Sequence, residues 1–518
     1  LFLFKIQFHC EFYRRSILME NPKFIDNDLR QVFRSEDTFS VAQNINGKVF
    51  REYENRITKQ FKIQDKSYFI KFHGPVGWKE IIKNLIQIKT PVIGAQREYD
   101  ALNHLTKTNI NCPKIKGFGK KGLNPAKSSS FLITEELYGT LSLEDFFLQD
   151  LHKNLTYKQK SNLIEAAAIL IRRMHLSGLN HRDLYLCHLH IKKEIDFDDI
   201  EIYLIDLHRA QIRSSVPFRW TVKDLGGFFH SAIQFNFTER DFYRFLMAYF
   251  NCSLRDLFTN HHAMIRKIVN RAFSMYLKPI LKEVSIKSSS FSEESIFTKH
   301  VTESGKWFLK KNLDPNDFIE FFQDEDLLIR KGEVIKNEKG HLIVKVKIEN
   351  RYFFIKKYRI KNVFHGLSRL FKKTRAYNSW LSIHWLNAAG IKTAHPISLY
   401  EGKGILGSRV SFLITEEIEG KRLDDAIVDN IHADLIVSSI DAFFKRMSWI
   451  KFCHGDAKTS NFFLNEKGLV TFDLDSSRRK YSFFFHNRAI SKDKIRILRS
   501  VKSNGKVYLK LSKRLQGS

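Results

Sequence analysis

Asn180-His181-Arg182-Asp183-Leu184-Tyr185-Leu186-Cys187-His188, followed by Tyr203-Leu204-Ile205-Asp206-Leu207-His208-Arg209-Ala210-Gln211, is the pair of segments around which the chain is organised. The first sets a carboxylate, Asp183, in a polar loop. The second is an apolar run that reads as a strand and delivers an aspartate, Asp206, at its end. Phosphoryl transfer to a hydroxyl needs two carboxylates placed in this way. One orients the attacking hydroxyl and accepts its proton, and the other holds the magnesium that bridges the nucleotide phosphates. A three-residue motif is weak alone, because short patterns recur by chance. The pairing is stronger, and the upstream residues decide the reading.

The chain has 518 residues, too many for one ordinary core. It is 43% hydrophobic with 46 Phe, which is ample for globular cores and unlike a disordered composition. A formal charge of +30 favours anionic partners: nucleic acid, an anionic membrane surface or a polyanionic substrate. The plainer reading of that charge is a solvated basic surface. No nucleic-acid motif accompanies it, and the basic residues are dispersed among the elements described below, so no nucleic-acid partner is expected. Five scattered cysteines without a C-x-x-C pair argue against a disulfide framework or a zinc site and suit a reducing cytoplasm. No apolar run reaches the ~18–20 residues that span a bilayer. Residues 1–18 lack a continuous apolar core and a small-residue cleavage site, so no signal peptide is read there. Met19 opens a more ordinary sequence, and residues 1–18 are expected to lie upstream of the native start.

An internal repeat sets the domain organisation. Ser130-Phe-Leu-Ile-Thr-Glu-Glu136 recurs letter for letter as Ser411 to Glu417. Upstream of each copy is a short aromatic strand with one lysine, Tyr68-Phe69-Ile70-Lys71 and Phe353-Phe354-Ile355-Lys356. Downstream of each lies a catalytic-loop candidate, His181-Arg182-Asp183 and His454-Gly455-Asp456. Three elements in one order at similar separations mean two copies of one fold. The expected class is α+β, as tandem bilobal domains. The expected bounds are an extension over 1–30; a first domain over 31–295, divided at 135/136; a connector over 296–323; and a second domain over 324–518, divided at 416/417.

In the first copy the period of two places Lys71 on a strand, aimed at the phosphates. A helix over Gln96–Leu105 carries Glu98, the candidate ion-pair partner of Lys71; on its own Glu98 would read as a surface carboxylate. The strand Ser130–Leu137 leads to a hinge, where the backbone at Glu135 and Leu137 would meet the adenine. An apolar helix over 159–176 stops at Gly178 and feeds the Asp183 loop. A Phe/Tyr-rich helical region runs to about 280, and Ser285–Ser295 reads as a loop. In the second copy Lys356, Glu416, Ile418 and Asn461 are the nucleotide-site candidates, Asp456 the catalytic one, and Asp473 the metal ligand with Asp475 as its rival. A helix is expected over 433–450. The basic run His365–Arg375 is either a solvated face or a contact for phosphates. Ser379 falls where Glu98 falls in the first copy, so Lys356 is expected to lack its partner.

The first copy resembles the bacterial lipopolysaccharide core heptose(I) kinase family, within the lipopolysaccharide/Kdo kinase group of the protein-kinase-like superfamily. The residues that carry this are Tyr68 to Ile81, Lys83-Asn84-Leu85, Pro91 to Ala95 with Glu98, His181 to His188, Ile205 to Gln211, and Arg219-Trp220 through Lys223-Asp224-Leu225. Residues 325–480 look like looser relatives of that group, through Ser411–Glu417, His454-Gly455-Asp456 and Phe472-Asp473-Leu474-Asp475. The resemblance implies ATP- and Mg2+-dependent phosphorylation of a core sugar on lipid-linked lipopolysaccharide. It also implies a peripheral position on the cytoplasmic, inner face of the bacterial inner membrane, where an anionic acceptor and an anionic leaflet would account for the charge. Two features depart from a protein kinase. His188 stands where Asn is usual, five residues after Asp183, and imidazole is a poor magnesium ligand, so it is read as a nucleotide- or substrate-side contact. No G-x-G-x-x-G precedes Lys71. Three alternatives stay open: a second copy acting on Kdo or another core sugar, a small-molecule kinase, and a non-catalytic tandem scaffold that binds magnesium-ATP without turnover.

Overall fold

The computed structural model describes residues 24–33, 38–53, 55–86, 93–235, 237–285, 295–338, 340–359, 373–402, 410–429, 433–466, 468–479 and 483–516. Residues 1–18, most of the basic run 365–375 and most of the Ser285–Ser295 loop therefore lie outside the described residues. The chain forms two compact units, Leu1–Arg271 and Ala272–Ser518.

The first unit opens with a six-stranded antiparallel sheet. Its strands are β1 (Phe24–Ile25), β2 (Lys48–Tyr53), β3 (Arg56–Ile63), β4 (Lys66–His73), β5 (Ile115–Lys121) and β6 (Ser129–Glu135), in the order β1-β5-β6-β4-β3-β2. Alternation along β4 decides which way Lys71 faces. Tyr68, Ile70 and Phe72 are buried and pack with Leu29, Phe33, Phe39 and Phe131 under the helix Thr38–Asn44. With a side-chain period of two, Lys71 must stand on the opposite face. The pairing Lys71↔Leu132 seats it at the centre of the sheet. Residues 24–30, expected as an extension, belong to this fold: β1 pairs with β5, and Leu29 is wholly buried. The two-residue strand was too short to show a period.

The remainder of the first unit is helical. The helix Tyr157–Leu176 begins in a reciprocal cap between Thr156 and Gln159. It ends at Gly178, whose φ of +85° carries the chain into the Asp183 loop. Two small hairpins bracket that loop. Leu179–Asn180 pairs with Gln211–Ile212, and Leu189–Lys192 pairs with Ile202–Leu204. With Asn180 tied to Gln211 and Leu189 tied to Leu204, the stretches 181–188 and 205–210 are forced together, which brings Asp183 and Asp206 to neighbouring turns.

The second unit repeats this plan with a seven-stranded sheet. Its strands run in the order Phe297–Val301, Gly305–Lys310, Pro396–Gly402, Ser411–Glu416, Arg351–Tyr358, His341–Ile348 and Glu333–Glu338. Lys356 pairs with Leu413 as Lys71 pairs with Leu132, so the repeat holds register. Residues 296–323, expected as a connector, contribute two strands and the helix Asn316–Gln323. The reason is burial. Trp307, Phe308, Phe318 and Phe321 are almost fully enclosed, and Trp307, Phe318 and Phe321 share a core with Phe353 and Ile355. Each such side chain contributes ~1.5–3 kcal/mol, a gain that a free linker would forgo. The short paired strands recur as Phe452–Cys453 with Arg478–Arg479 and Phe462–Asn465 with Gly468–Thr471.

Gly178 is required by space as well as by φ, since an added Cβ would lie 1.9 Å from the Arg213 carbonyl oxygen. Gly178→Ala should cost at least about 2 kcal/mol and lower the thermal midpoint of the first unit by ~5 °C or more. Gly505→Ala, where nothing lies within 4 Å, should stay within about 0.5 kcal/mol. Calorimetry of the two variants checks both.

Candidate active site

Lys71 Nζ lies 2.6 Å from Glu98 Oε1 and 3.0 Å from Asp206 Oδ1. Glu98 sits in the first turn of the helix Gln96–Lys107 and is 4% exposed, so it is a buried carboxylate rather than a surface one. Burial by itself would depress the Lys71 ammonium. The two carboxylates outweigh burial and hold its pKa above the ordinary lysine value. Asp206 shows the converse. Burial would raise it, but the bond from His208 and the charges of Lys71, His208 and His188 hold it far below the usual carboxylate range. The site therefore keeps a fixed cation beside a fixed anion at neutral pH.

Asp206 has φ +58° and Arg182 φ +73°, both in the left-handed region. Such backbone costs of order 1–3 kcal/mol and persists only where surroundings over-determine it. Here the determinant is Asp224, a fully buried carboxylate on the helix Phe218–Ala232. Its oxygens accept from the backbone N–H of His181 and of Arg182, each at 2.7 Å, and from His175 Nε2 at 3.3 Å. His181 reaches across to the Ile205 carbonyl, 3.0 Å away, and Ile205 N–H donates to the His188 carbonyl. His188 Nδ1 donates to the Asp183 carbonyl at 2.7 Å, while its Nε2 lies 3.5 Å from Asp206 Oδ2. One ring thus ties the Asp183 turn to the Asp206 turn. Asp183 itself accepts from Arg209 Nη1 at both oxygens, 2.9 Å each.

The second unit reproduces the loop and alters the lysine's setting. Asp493 accepts from Gly455 N–H as Asp224 accepts from Arg182 N–H, and Gly455 has φ +86°. Asn461 Nδ2 donates to the Asp456 carbonyl at 2.8 Å, the bond that His188 makes in the first unit. Phe472 N–H donates to Asn461 O, matching Ile205 to His188. Asp473 has φ +55° and is held low by Lys356 against the effect of burial. Lys356 lacks a helix glutamate, as expected, and pairs with Asp473 at 2.5 Å, the counterpart of Lys71 with Asp206, while lying 4.0 Å from Asp475. The expectation rested on Ser379 replacing Glu98, and Ser379 is indeed buried there, 3.4 Å from the Tyr358 hydroxyl. The aspartates supply the missing charge. Arg375 then takes Asp475 through both Nε and Nη2, tying the helix Arg375–Ala388 to that loop.

At the hinges, Glu135 N–H donates to the Lys114 carbonyl and Glu416 N–H to that of His395. The Glu135 and Glu416 carboxylates lie 4.0 and 3.6 Å from Lys116 and Lys310. Leu137 and Ile418 follow the strand ends, both half-buried. Among the described residues no group of three His, Cys, Asp or Glu side chains is placed to hold a metal ion. A magnesium ion here would take one carboxylate, Asp206 or Asp473, and complete its shell with phosphate and water oxygens, the usual manner of nucleotide enzymes.

Sequence reasoning did not assign roles to Asp224, Asp493, Arg209 or Arg375. A carboxylate spaced with apolar residues, Thr221-Asp224-Leu225-Phe228 or Ile490-Asp493-Ile497, is a signal that would have found the first two. It also missed a cationic cluster beside Asp183. Arg182, Arg213, Arg219 and Lys223 lie 5.0, 5.3, 4.9 and 5.1 Å from the Trp220 ring centroid. Cation–π attraction offsets roughly 0.5–1 kcal/mol per exposed cation. The Lys223 ammonium registers the setting: burial first, and then the charges of Arg182 and Arg209, push it down to about 8.

Two sheets, two lysine strands and two anchored His-x-Asp loops define a tandem protein-kinase-like molecule with mixed helices and sheets. The lipopolysaccharide kinase (Kdo/WaaP) family profile matches residues 41–249 and 327–514, and the chain belongs to that family of kinases. It is 44% identical over 231 residues to the lipopolysaccharide core heptose(I) kinase WaaP of Escherichia coli K12, covering 44% of this chain and 87% of that protein. It is 36% identical over 254 residues to the protein of the same name from Pseudomonas aeruginosa, covering 49% and 95%. A solved structure, WaaP in complex with acyl carrier protein, aligns at 30% identity with a TM-score of 0.43, over 49% of this chain and 99% of that one.

Two outcomes follow for stability. Asp224→Asn removes an acceptor from two buried backbone donors and should cost about 1–3 kcal/mol, read as a lower urea midpoint. His73, 6% exposed, has its pKa pushed down to about 3, first by burial and then by Arg56 and Lys71. Between about pH 6.5 and 3 the unfolded chain binds a proton there that the folded chain does not, so stability falls with pH. From pH 7 to 5 the wild type should lose about 2 kcal/mol more than His73→Phe, by urea denaturation at both values.

Proposed function

We propose that the first unit transfers the γ-phosphoryl group of ATP to a heptose hydroxyl of the lipopolysaccharide inner core. The observation that carries this is the pairing of Lys71 with Glu98 and Asp206 beside the anchored Asp183 loop. The choice of acceptor follows the related lipopolysaccharide core heptose(I) kinases. Lys71 would neutralise the α- and β-phosphates, with Glu98 holding the ammonium in place. The hinge backbone at Glu135 and Leu137 would meet the adenine. Asp183 would accept the proton of the sugar hydroxyl as its oxygen bonds to the γ-phosphorus and the bond to the β-phosphate oxygen breaks, leaving ADP. Asp206 would hold magnesium, which when bound offsets charge on the phosphates. His188 would act by fixing the Asp183 carbonyl, a role that needs no metal contact.

The second unit keeps Lys356, Asp456, Asn461 and Asp473, with Glu416 and Ile418 at its hinge. Its lysine lacks a helix glutamate, and Arg375 engages Asp475. We read it as an accessory to the first unit, with phosphorylation of Kdo or another core sugar as the rival reading. No helix among the described residues is long and apolar enough to cross a membrane. An acceptor embedded in an anionic leaflet and a chain of charge +30 support peripheral attachment at the inner face of the inner membrane.

The test is transfer of labelled γ-phosphate to heptose-containing core lipopolysaccharide stripped of phosphate. Asp183→Asn should lower kcat ~10²–10⁴-fold, and Asp456→Asn should leave heptose transfer intact. Loss with Asp456→Asn alone would reverse the assignment of the two units. No transfer by folded, ATP-binding wild type would sink the choice of acceptor.

A further inference from the structure

The cations around Trp220 have no counter-charge of their own. Among the described residues no carboxylate pairs with Arg97, Arg182, Arg213, Arg219 or Lys223, and Arg213 is held by the neutral side chains of Asn180 and Gln211. Arg182 Nε and Arg97 Nη1 are buried without an acceptor. Buried donors in folded proteins are almost always satisfied, so these two ask for a ligand oxygen. The cluster adjoins the chemistry. Arg182 precedes Asp183 in the loop, and Arg209 spends only Nη1 on the Asp183 oxygens. The charged groups that Arg182 senses most strongly are Arg209, Asp183, Arg97 and Arg213, on the Asp183 side of the site.

The second unit keeps only part of this arrangement. With Asp493 set against Asp224, Arg488 and Lys492 stand where Arg219 and Lys223 stand, but Ala489 stands where Trp220 stands and Gly455 stands where Arg182 stands. The indole and the loop arginine have gone together, while the loop anchor has stayed. Neither the indole nor the loop arginine is therefore a requirement of the fold.

We propose that this pocket is an acceptor subsite for an oxyanion, a carboxylate or a phosphate, carried on the sugar chain beside the hydroxyl that Asp183 receives. The guanidinium groups offer the planar, two-pronged donors that suit either anion. Trp220 gathers them without neutralising them. Bound there, the anion supplies the missing acceptors and sets which hydroxyl faces Asp183. The inference rests on reading the first unit as a kinase of an anionic oligosaccharide.

The test uses the full chain and three acceptors: core lipopolysaccharide isolated from cells that lack this kinase, whose heptose is unphosphorylated, the same with its sugar carboxylates reduced to alcohols, and the same with its remaining phosphates removed. With the isolated acceptor, Arg219→Ala and Lys223→Ala should each raise the acceptor KM at least tenfold, proportionally more than kcat falls, with the ATP KM within twofold of wild type. Lys223→Arg should recover most of the loss. Lys153→Ala, which removes an exposed cation elsewhere, should behave as wild type. The acceptor that lacks the recognised anion should raise the wild-type KM to that of the variants and leave the variants unchanged. Carboxyl reduction having this effect assigns a carboxylate, and phosphate removal a phosphate. Unchanged acceptor KM in both alanine variants overturns the subsite. So does an equal loss in Lys153→Ala, or a variant deficit that persists on both altered acceptors. If wild type transfers nothing to heptose, equilibrium binding of the same acceptors still decides: weaker binding by Lys223→Ala keeps the subsite, and equal binding removes it.

Discussion

A carboxylate with no exposed surface holds the His-x-Asp turn of each unit. Asp224 and Asp493 sit on helices, and their oxygens accept from backbone N–H groups in a turn that carries left-handed residues. Without that acceptor, a non-glycine residue such as Arg182 at φ +73° would relax toward ordinary backbone and carry Asp183 with it. Everything else in the site is referred to this turn. His181 and His454 bind the carbonyls of Ile205 and Phe472, and those residues lead into the left-handed Asp206 and Asp473. The anchor is a charge buried at a cost, and its hydrogen bonds offset that cost only while each of them is made.

The two units separate what the fold demands from what the chemistry selects. Register on the sheet, the lysine, the two hairpins and the anchored loop are common to both. The link from the lysine to the helix is not. In the first unit the helix reaches the lysine directly, through Glu98. In the second it reaches past the lysine to Asp475, through Arg375, and Asn378 adds bonds to the Asp475 and Ser477 carbonyls. Both arrangements fix the helix against the aspartate loop. Only the first gives the lysine a close carboxylate, Glu98, besides the candidate metal ligand. Were Asp473 to hold a metal ion, Lys356 would be left with Asp475 at 4.0 Å, which Arg375 also engages.

The legible parts of this structure were those that act through side chains in a period. Tyr68-Phe69-Ile70-Lys71 announces a strand with one charged residue on its polar face, and the exact repeat of Ser130–Glu136 announces the second copy. Glu98 could be paired with Lys71 because it opens an obvious helix. The illegible parts act through the backbone or through distant partners. Asp224 works by accepting N–H bonds, and its spacing with apolar residues marks it as buried without naming the backbone it holds. Residues 297–310, read as part of a connector, show no sustained period of two, and the strand Gly305–Lys310 depends on pairing with Pro396–Gly402, far along the chain. Arg375 closes a basic run, where any one arginine reads as surface.

The exchange of asparagine for histidine between the units shows why position is a better guide than residue type. Asn461 and His188 donate to the same carbonyl, five residues upstream, at 2.8 and 2.7 Å. Either side chain fixes the turn, so the fold does not distinguish them. They differ in what remains. The amide that spends Nδ2 on Asp456 keeps a hard oxygen, which suits magnesium. The imidazole that spends Nδ1–H keeps Nε2 as a nitrogen lone pair, which does not. If the first unit acts as proposed, it would have one fewer oxygen ligand for a metal ion while keeping the loop geometry, and charge compensation there would fall to fixed cations. Lys71 would provide it beside Asp206, and Arg182, Arg209 and Lys223 beside Asp183.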